Sequence, residues 1–365
     1  MPLLPRRTLL LSALAWPLAP VFAVQPRPLV FPRDHGSHND TRTEWWYLTG
    51  HAEDDAGRAF GFQVTFFRSR VDVAQALPSR LAARQLLFAH AAVTDVQASQ
   101  LRHDERIARW NGDQPAQAEG GVWASTQDLQ VHLRDWFLRR TAGGGYTTQV
   151  QGDELGIALT FTPRQAILLQ GDAGFSRKGP APGQASFYVS HPQLAVRGEL
   201  RLGSRRHRVQ GTAWLDHEWS ETLMHPEAVG WDWIGMNLDD GSSLTAFRLR
   251  RADGSAVWAG GSFRAAADGG RPDAARHFGS EVVRFTPLQH WTSPHTRARY
   301  PVRWAVDTPA GRFTVQAVID AQELDSRRST GTVYWEGLSD LLDASGRRVG
   351  RGYLEMTGYA QALRL

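Results

Sequence analysis

The chain has 365 residues, 42% of them hydrophobic, with 14 Trp, 35 Gly and only 4 Met. That is apolar material for one large or two medium domains, and too much for a disordered chain. A formal charge of +4 is too small to imply nucleic acid, and it falls by two if a leader holding Arg6 and Arg7 is removed. With no cysteine there is no disulfide, lipobox or thiol chemistry, and the abundance of Trp and Gly points to short strands and tight turns, hence an all-β protein.

In chain order, residues 1–23 read as a signal peptide. Arg6-Arg7 precede an apolar run from Leu9 to Leu14, and Val21-Phe22-Ala23 offers a small-residue cleavage site before Val24. The mature protein is therefore expected to be periplasmic or secreted. The arginine pair resembles a twin-arginine signal, with an ordinary secretory signal as the other reading. Beyond residue 23 no apolar run approaches a membrane span.

Two later segments match each other. Trp45-Trp46-Tyr47-Leu48 and Trp231-Asp232-Trp233-Ile234 each lead into an acidic turn, a glycine (Gly57 or Gly241) and a second strand. This is one hairpin pattern used twice, and it suggests a duplicated β module. Alternation predicts further strands at 61–67, 86–94, 129–133, 157–162, 209–215, 303–306 and 313–317. The breaker-rich stretch 171–184, followed by Pro192, reads as a long functional loop. A domain boundary is expected near 192–206, placed so that residues 24–198 form an N-terminal domain and 199–365 a C-terminal one.

The chemistry concentrates at Trp214-Leu215-Asp216-His217-Glu218-Trp219. In a strand Asp216 and Glu218 share one face, while His217 and Trp219 share the other. His217 is the side chain able to give and take a proton near neutral pH, and the π face of Trp219 would stabilise a developing cation. The pairing suits protonation of a carbon–carbon double bond, with Asp216 or Glu218 tuning the imidazole. A zinc site is disfavoured, because His217 and Glu221 would lie about 13 Å apart along a strand; neither a metal nor any other cofactor is expected, although His217 with His225 or His90 is another reading. A serine hydrolase would have to use Ser176, Ser190 or Ser220, with no nucleophile elbow in sight.

Taken together, Phe31-Pro32-Arg33-Asp34-His35-Gly36, Thr43-Glu44-Trp45-Trp46-Tyr47, Ser176-Arg177-Lys178-Gly179, Trp214 to Trp219, Gly230 to Trp233 and Gly352 to Tyr359 resemble the AttH-type proteins. These are lipocalin-like secreted proteins related to carotenoid 1,2-hydratase and often labelled predicted hydrolases. The resemblance implies two tandem lipocalin-like β-barrel domains with a cleft between them. Ligand-binding residues expected there are Glu44, Trp46, Tyr47, Tyr188, Trp231, Asp232, Trp233 and Lys178, with Glu44 a candidate buried carboxylate and Tyr188 a candidate proton donor. In the hydratase branch the site resembles a His-x-Trp pair plus a Tyr-x-Asp pair. His217 and Trp219 match the first, but the second falls near Phe247-Arg248-Leu249, which lacks both hydroxyl and carboxylate. The function implied is binding of an apolar isoprenoid or lipid-like molecule, with acid-assisted hydratase or lyase chemistry at His217. The alternatives are a lipid or lipoprotein carrier serving an ABC-transporter permease, and a secreted hydrolase.

Overall fold

The chain from Thr43 to Met356 is mostly strand: burial alternates in strands with one face outward, such as Tyr146–Gln151 and Leu155–Pro163, and is continuous in those covered on both faces, such as Ala59–Arg70 and Thr332–Leu342. The structure, a computed structural model, describes residues 24–79, 81–114, 121–222, 224–266 and 275–363; the expected leader lies outside them. The strands of a first sheet are β1 (Thr43–Asp54), β2 (Ala59–Arg70), β3 (Gln85–Asp95), β4 (Gln100–Trp110), β5 (Val122–Ala124), β6 (Gln130–Leu133), β7 (Trp136–Arg140), β8 (Tyr146–Gln151), β9 (Leu155–Pro163), β10 (Leu168–Leu169), β11 (Phe175–Arg177), β12 (Ala185–Leu202) and β13 (Arg205–Ser220). A second sheet holds β14 (Gly230–Leu238), β15 (Ser243–Arg250), β16 (Ala256–Arg264), β17 (Arg276–Phe278), β18 (Arg284–Thr292), β19 (Arg299–Thr308), β20 (Gly311–Ala317), β21 (Glu323–Ser326), β22 (Thr332–Leu342) and β23 (Arg348–Met356). Among the described residues no helix is long and apolar enough to cross a membrane.

Every pairing is antiparallel. The first sheet runs β4-β3-β2-β1-β13-β12-β9-β8-β7-β6-β5 and the second β17-β16-β15-β14-β23-β22-β20-β19-β18. The two matching sequence segments are the hairpins β1/β2 and β14/β15, and in each sheet the first strand pairs with the last. The expectation of two tandem closed barrels is not met. The first sheet nearly closes, its end strands β4 and β5 coming alongside each other without a ladder, while the second is an open sheet whose ends β17 and β18 do not pair. The repeat thus extends to the strand order on one side of each sheet but not to closure, which depends on the dissimilar strands β5–β9 and β18–β20.

The chain passes from one sheet to the other between Ser220 and Gly230. The expected division at 198/199 falls inside β12, which continues through Pro192 by a bulge between His191 and Leu194, with Gln193 at φ 55°. A bulge removes the ladder position at which proline's missing N–H would be felt.

Each sheet has its own core. Trp46, Leu48, Phe62, Phe66 and Trp136 belong to the first, and Ile234, Met236, Trp304, Trp335 and Leu354 to the second. The opposite faces meet through a third apolar cluster of Tyr47, Trp214, Trp233, Phe247, Leu338 and Tyr353. Close approach there requires Gly61, since a Cβ at this position would lie 2.8 Å from the Tyr353 hydroxyl and 3.0 Å from Leu338. Asn237 donates to the Ala213 carbonyl at 3.0 Å, Thr94 to Gln322 at 3.0 Å, and His90 is bonded to the Tyr334 hydroxyl at 2.8 Å. Polar contacts of this kind fix the register of one sheet on the other.

Candidate functional site

Strand register builds a cavity between the sheets. On the first sheet Phe88, Phe67, Trp45, Glu218 and Tyr188 stand in one row across β3, β2, β1, β13 and β12, with Thr65, Tyr47 and Asp216 in the next. On the second, Phe247, Trp233, Glu355 and Glu336 form a row across β15, β14, β23 and β22. Together with Trp231, Leu249, Tyr334 and Lys178 these side chains enclose about 240 Å³, more than the roughly 150 Å³ apolar cavity that takes up benzene. Arg42, exposed, and the half-buried Ser69 and Arg70 stand at its rim.

A hydrogen-bonded chain crosses the cavity. Trp233 Nε1 donates to the Tyr188 hydroxyl at 2.9 Å, and Tyr188 donates to Asp216 Oδ2 at 2.7 Å. Asp216 Oδ1 accepts from Trp214 Nε1 at 2.6 Å and from the Ser190 hydroxyl. Burial pushes the Asp216 carboxyl up to about 7 against the pull of these donors, with neighbouring Glu218 adding to the rise. The Tyr188 hydroxyl is held well above its ordinary range, first by burial and then by Asp216. Gly235 makes room for this chain: a Cβ there would lie 2.3 Å from the Trp233 ring.

Lys178 is buried rather than solvated. Its Nζ lies 2.9 Å from Glu218 Oε1 and over the Phe247 and Tyr188 rings, 4.3 and 4.7 Å from their centroids. Glu336 and Glu355 face each other across β22 and β23. Burial first, then Glu355, raises the Glu336 carboxyl well above its usual range, and burial raises Glu355 to about 7. No hydrogen bond of good geometry reaches the buried Tyr47 hydroxyl or Glu336 Oε1, but the two groups approach closely enough for the Tyr47 hydroxyl to pull against the rise of the Glu336 carboxyl.

Behind β1 and β13, on the side away from the cavity, sits a second polar cluster. Glu44 Oε1 is bonded to His38 Nδ1 at 2.8 Å and to His217 Nε2 at 2.9 Å, while Arg68 Nε donates to Glu44 Oε2 at 2.8 Å. Trp219 stacks on His38 with centroids 3.8 Å apart, and Trp46 on His217 at 4.9 Å. Burial lifts the Glu44 carboxyl, but Arg68 and the two histidines outweigh it and hold it well below the usual range; burial depresses the His217 imidazole. The three ligand-type atoms lie within 4.8 Å of one another and could hold a metal ion, with Asp34 behind His38 at 3.0 Å as a carboxylate support. The Arg68 guanidinium already meets the Glu44 charge, so the network also stands as an ion-paired one, in which His217 Nδ1 is buried without a partner.

The alternation read from sequence is therefore observed, and the carboxylate face is the one that meets the cavity. Asp216, Glu218, Tyr47, Tyr188, Lys178, Trp231 and Trp233 line it. Glu44 reaches its edge but aims its carboxylate at the histidines. His217, Trp219 and Trp46 lie in the cluster behind. Asp232 is on the far face of the second sheet, accepting from Arg248 at 2.7 Å and from Tyr359 at 2.8 Å. Ser190 bonds Asp216 and Gln170, Ser220 bonds Thr43, and His90 bonds Tyr334 and Ser329. Sequence reasoning missed Glu336, Glu355, Arg68, His38 and Tyr334. Only Glu355, inside the Gly352 to Tyr359 motif, stood in a segment already marked.

The model of a family described as AttH-like matches residues 22–359. A crystal structure of an AttH protein from Nitrosomonas europaea is 43% identical over 94% of this chain and 100% of that one, with a TM-score of 0.82. At the level of fold, kievitone hydratase from Nectria haematococca (14% identity, 92% of this chain and 94% of that one, TM-score 0.68) and CghA with Sch210972 (15%, 93% and 95%, 0.55) are also similar. Among curated proteins no sequence matches.

Proposed function

The chain belongs to the AttH-like family, and on that premise we propose that it binds a small apolar molecule between its sheets and adds water to it, or removes water from it, by acid-assisted chemistry. The observation that carries this reading is the Trp233–Tyr188–Asp216 chain opening into an aromatic cavity. An isoprenoid unit suits the volume and the lining, the remainder of a longer chain passing out at the rim. The structural likeness to a protein named as a hydratase agrees in fold, and the chemistry is argued from the residues here.

Tyr188 is the hydroxyl that meets the ligand, and Asp216 refills it. In the hydration direction protonated Asp216 becomes the donor across its 2.7 Å contact with the phenol oxygen, which turns the Tyr188 O–H toward the ligand; that O–H bond breaks as a C–H bond forms at one alkene carbon, and the Asp216 proton passes to the phenol oxygen. A tyrosinate therefore never accumulates. The adjacent carbon becomes cationic and lies among the faces of Trp231 and Trp233, which attract positive charge. Water then forms the C–O bond and loses a proton to a carboxylate of the wall. Elimination runs the same steps backwards from a tertiary alcohol. His217 has no direct part; with Glu44, Arg68 and His38 it stiffens β1 and β13, from which Tyr47, Asp216 and Glu218 project.

Incubation with a panel of terminal isoprenoid alkenes and the matching tertiary alcohols in ¹⁸O-labelled water tests the reading. Label is expected to enter the product, and Asp216→Asn is expected to lower the rate by roughly 10²–10⁴-fold while the ligand still binds. A protein that retains such molecules tightly but incorporates no label from any of them would be a carrier.

A further inference from the structure

Glu336 and Glu355 are the two acidic side chains on the wall opposite Tyr188, and nothing in the hydrogen-bonded chain described above uses them. They stand directly across from each other on neighbouring strands, where Cβ atoms are about 4.5–5.5 Å apart. Glu336 is 3% exposed; no hydrogen bond of good geometry reaches its Oε1, and the Tyr47 hydroxyl is the donor beside it. The groups that face the pair are the hydroxyls of Tyr47, Tyr334 and Tyr353, the Trp231 indole and, from the other sheet, Asp216 and Glu218. Not one of these is a cation. The cavity's lysine, Lys178, is committed to Glu218; of the arginines that reach the lining, Arg68 is held by Glu44 and Arg70 by Glu221 and Asp72, while Arg42 stands in solvent at the rim.

Two buried carboxylates this close, with no cation to neutralise them, cannot both carry charge. Leaving one proton on the pair removes the repulsion and retains one negative charge facing the ligand, an arrangement known from other paired-carboxylate sites. We infer that Glu336 and Glu355 share a single proton and act as the proton-accepting pair of the cavity, on the wall opposite the Tyr188–Asp216 donor. The inference rests on the hydration reading for its catalytic half only. When water attacks the cationic carbon, its oxygen forms the C–O bond, one O–H bond breaks, and that proton goes to the ionised member of the pair. The pair then holds two protons, Asp216 holds none, and exchange with solvent returns one proton from the former to the latter. The remaining charge also attracts the cation between the steps, which the aromatic walls alone do less strongly.

The proton-sharing half is tested on the unmodified protein labelled with [δ-¹³C]glutamate, so that Asp216 is silent. Two carboxyl resonances are expected to titrate near or above neutral pH, apart from the bulk of the glutamates. In Glu355→Gln one of them disappears and the other, from Glu336, moves downward because the charge beside it is gone, while burial keeps it above the ordinary carboxylate range. If every glutamate of the unmodified protein titrates in that range, the inference is overturned whether or not the protein turns anything over. If the displaced pair is found, turnover decides the catalytic half: Glu336→Gln and Glu355→Gln are each expected to lose roughly 10²-fold or more in kcat with KM little changed. Full activity in both variants overturns that half and leaves the Tyr188–Asp216 reading intact. An Asp216→Asn enzyme of full activity sinks the hydration reading without touching the titration result.

Discussion

Arg68→Met is expected to destabilise the protein by roughly 3–5 kcal/mol, the cost of stranding a buried partner charge. The guanidinium is fully buried and donates to Glu44 Oε2, to the carbonyls of Thr41 and His38, to the Thr41 hydroxyl and to Gln85. Methionine fills much of the volume but leaves the Glu44 carboxylate with the two histidines and the Ser37 hydroxyl, no permanent cation among them, and takes the side-chain donor from the Thr41 carbonyl. The paired change Arg68→Met with Glu44→Gln removes the stranded charge and is expected to recover part of the loss. Urea denaturation of the two variants and the parent measures both effects. A single variant within about 1 kcal/mol of the parent would mean that the cluster behind β1 and β13 contributes little.

The second large effect is a pH-dependent difference between Asp216→Asn and the parent. Asp216 titrates at about 7 in the folded protein, against an ordinary value of 3.8. The folded state therefore holds a proton that the unfolded chain has released. Below pH 4 both states are protonated and the carboxyl is not penalised; as pH rises from 4 toward 7 the parent loses stability, and above 7 the penalty is constant. The asparagine variant has no such term, so its stability relative to the parent rises by on the order of 4 kcal/mol across that window. The comparison must be made as a difference. Buried neutral histidines such as His90, held near 3 by burial, and His191, held near 4, push the other way by losing stability as pH falls below 6.5. These cancel between variant and parent. A difference curve that is flat from pH 4 to 8 would place the Asp216 proton elsewhere.

The sequence made some of this visible and hid the rest for identifiable reasons. Period-two alternation put Asp216 and Glu218 on one face of β13 and His217 and Trp219 on the other, because side-chain direction in a strand is a local property. Which face would meet a cavity is not local. It depends on how the second sheet lies on the first, and that is set by contacts such as Trp233 to Tyr188 and Asn237 to Ala213, some 45 and 24 residues apart. The repeated hairpin was readable because both copies use the same aromatic pattern; closure was not, since it needs end strands to find each other across the whole sheet. Pro192 looked like a boundary because proline breaks a regular ladder, and the bulge that accommodates it has no strong signature. Glu336 and Glu355 are unremarkable singly. Only the β22/β23 register makes them a pair.

In each sheet the opening strand is completed by the closing one: β1 by β13, and β14 by β23. During vectorial synthesis this means that the first sheet has all its strands soon after residue 220 clears the ribosome, and can settle while the rest is still being made. The second cannot seal its central seam until the last strand emerges. The wall bearing Glu336 and Glu355 is thus the later of the two to assemble, and a nascent chain holds half a pocket, with its tyrosine–aspartate side already formed, before the opposing acids arrive.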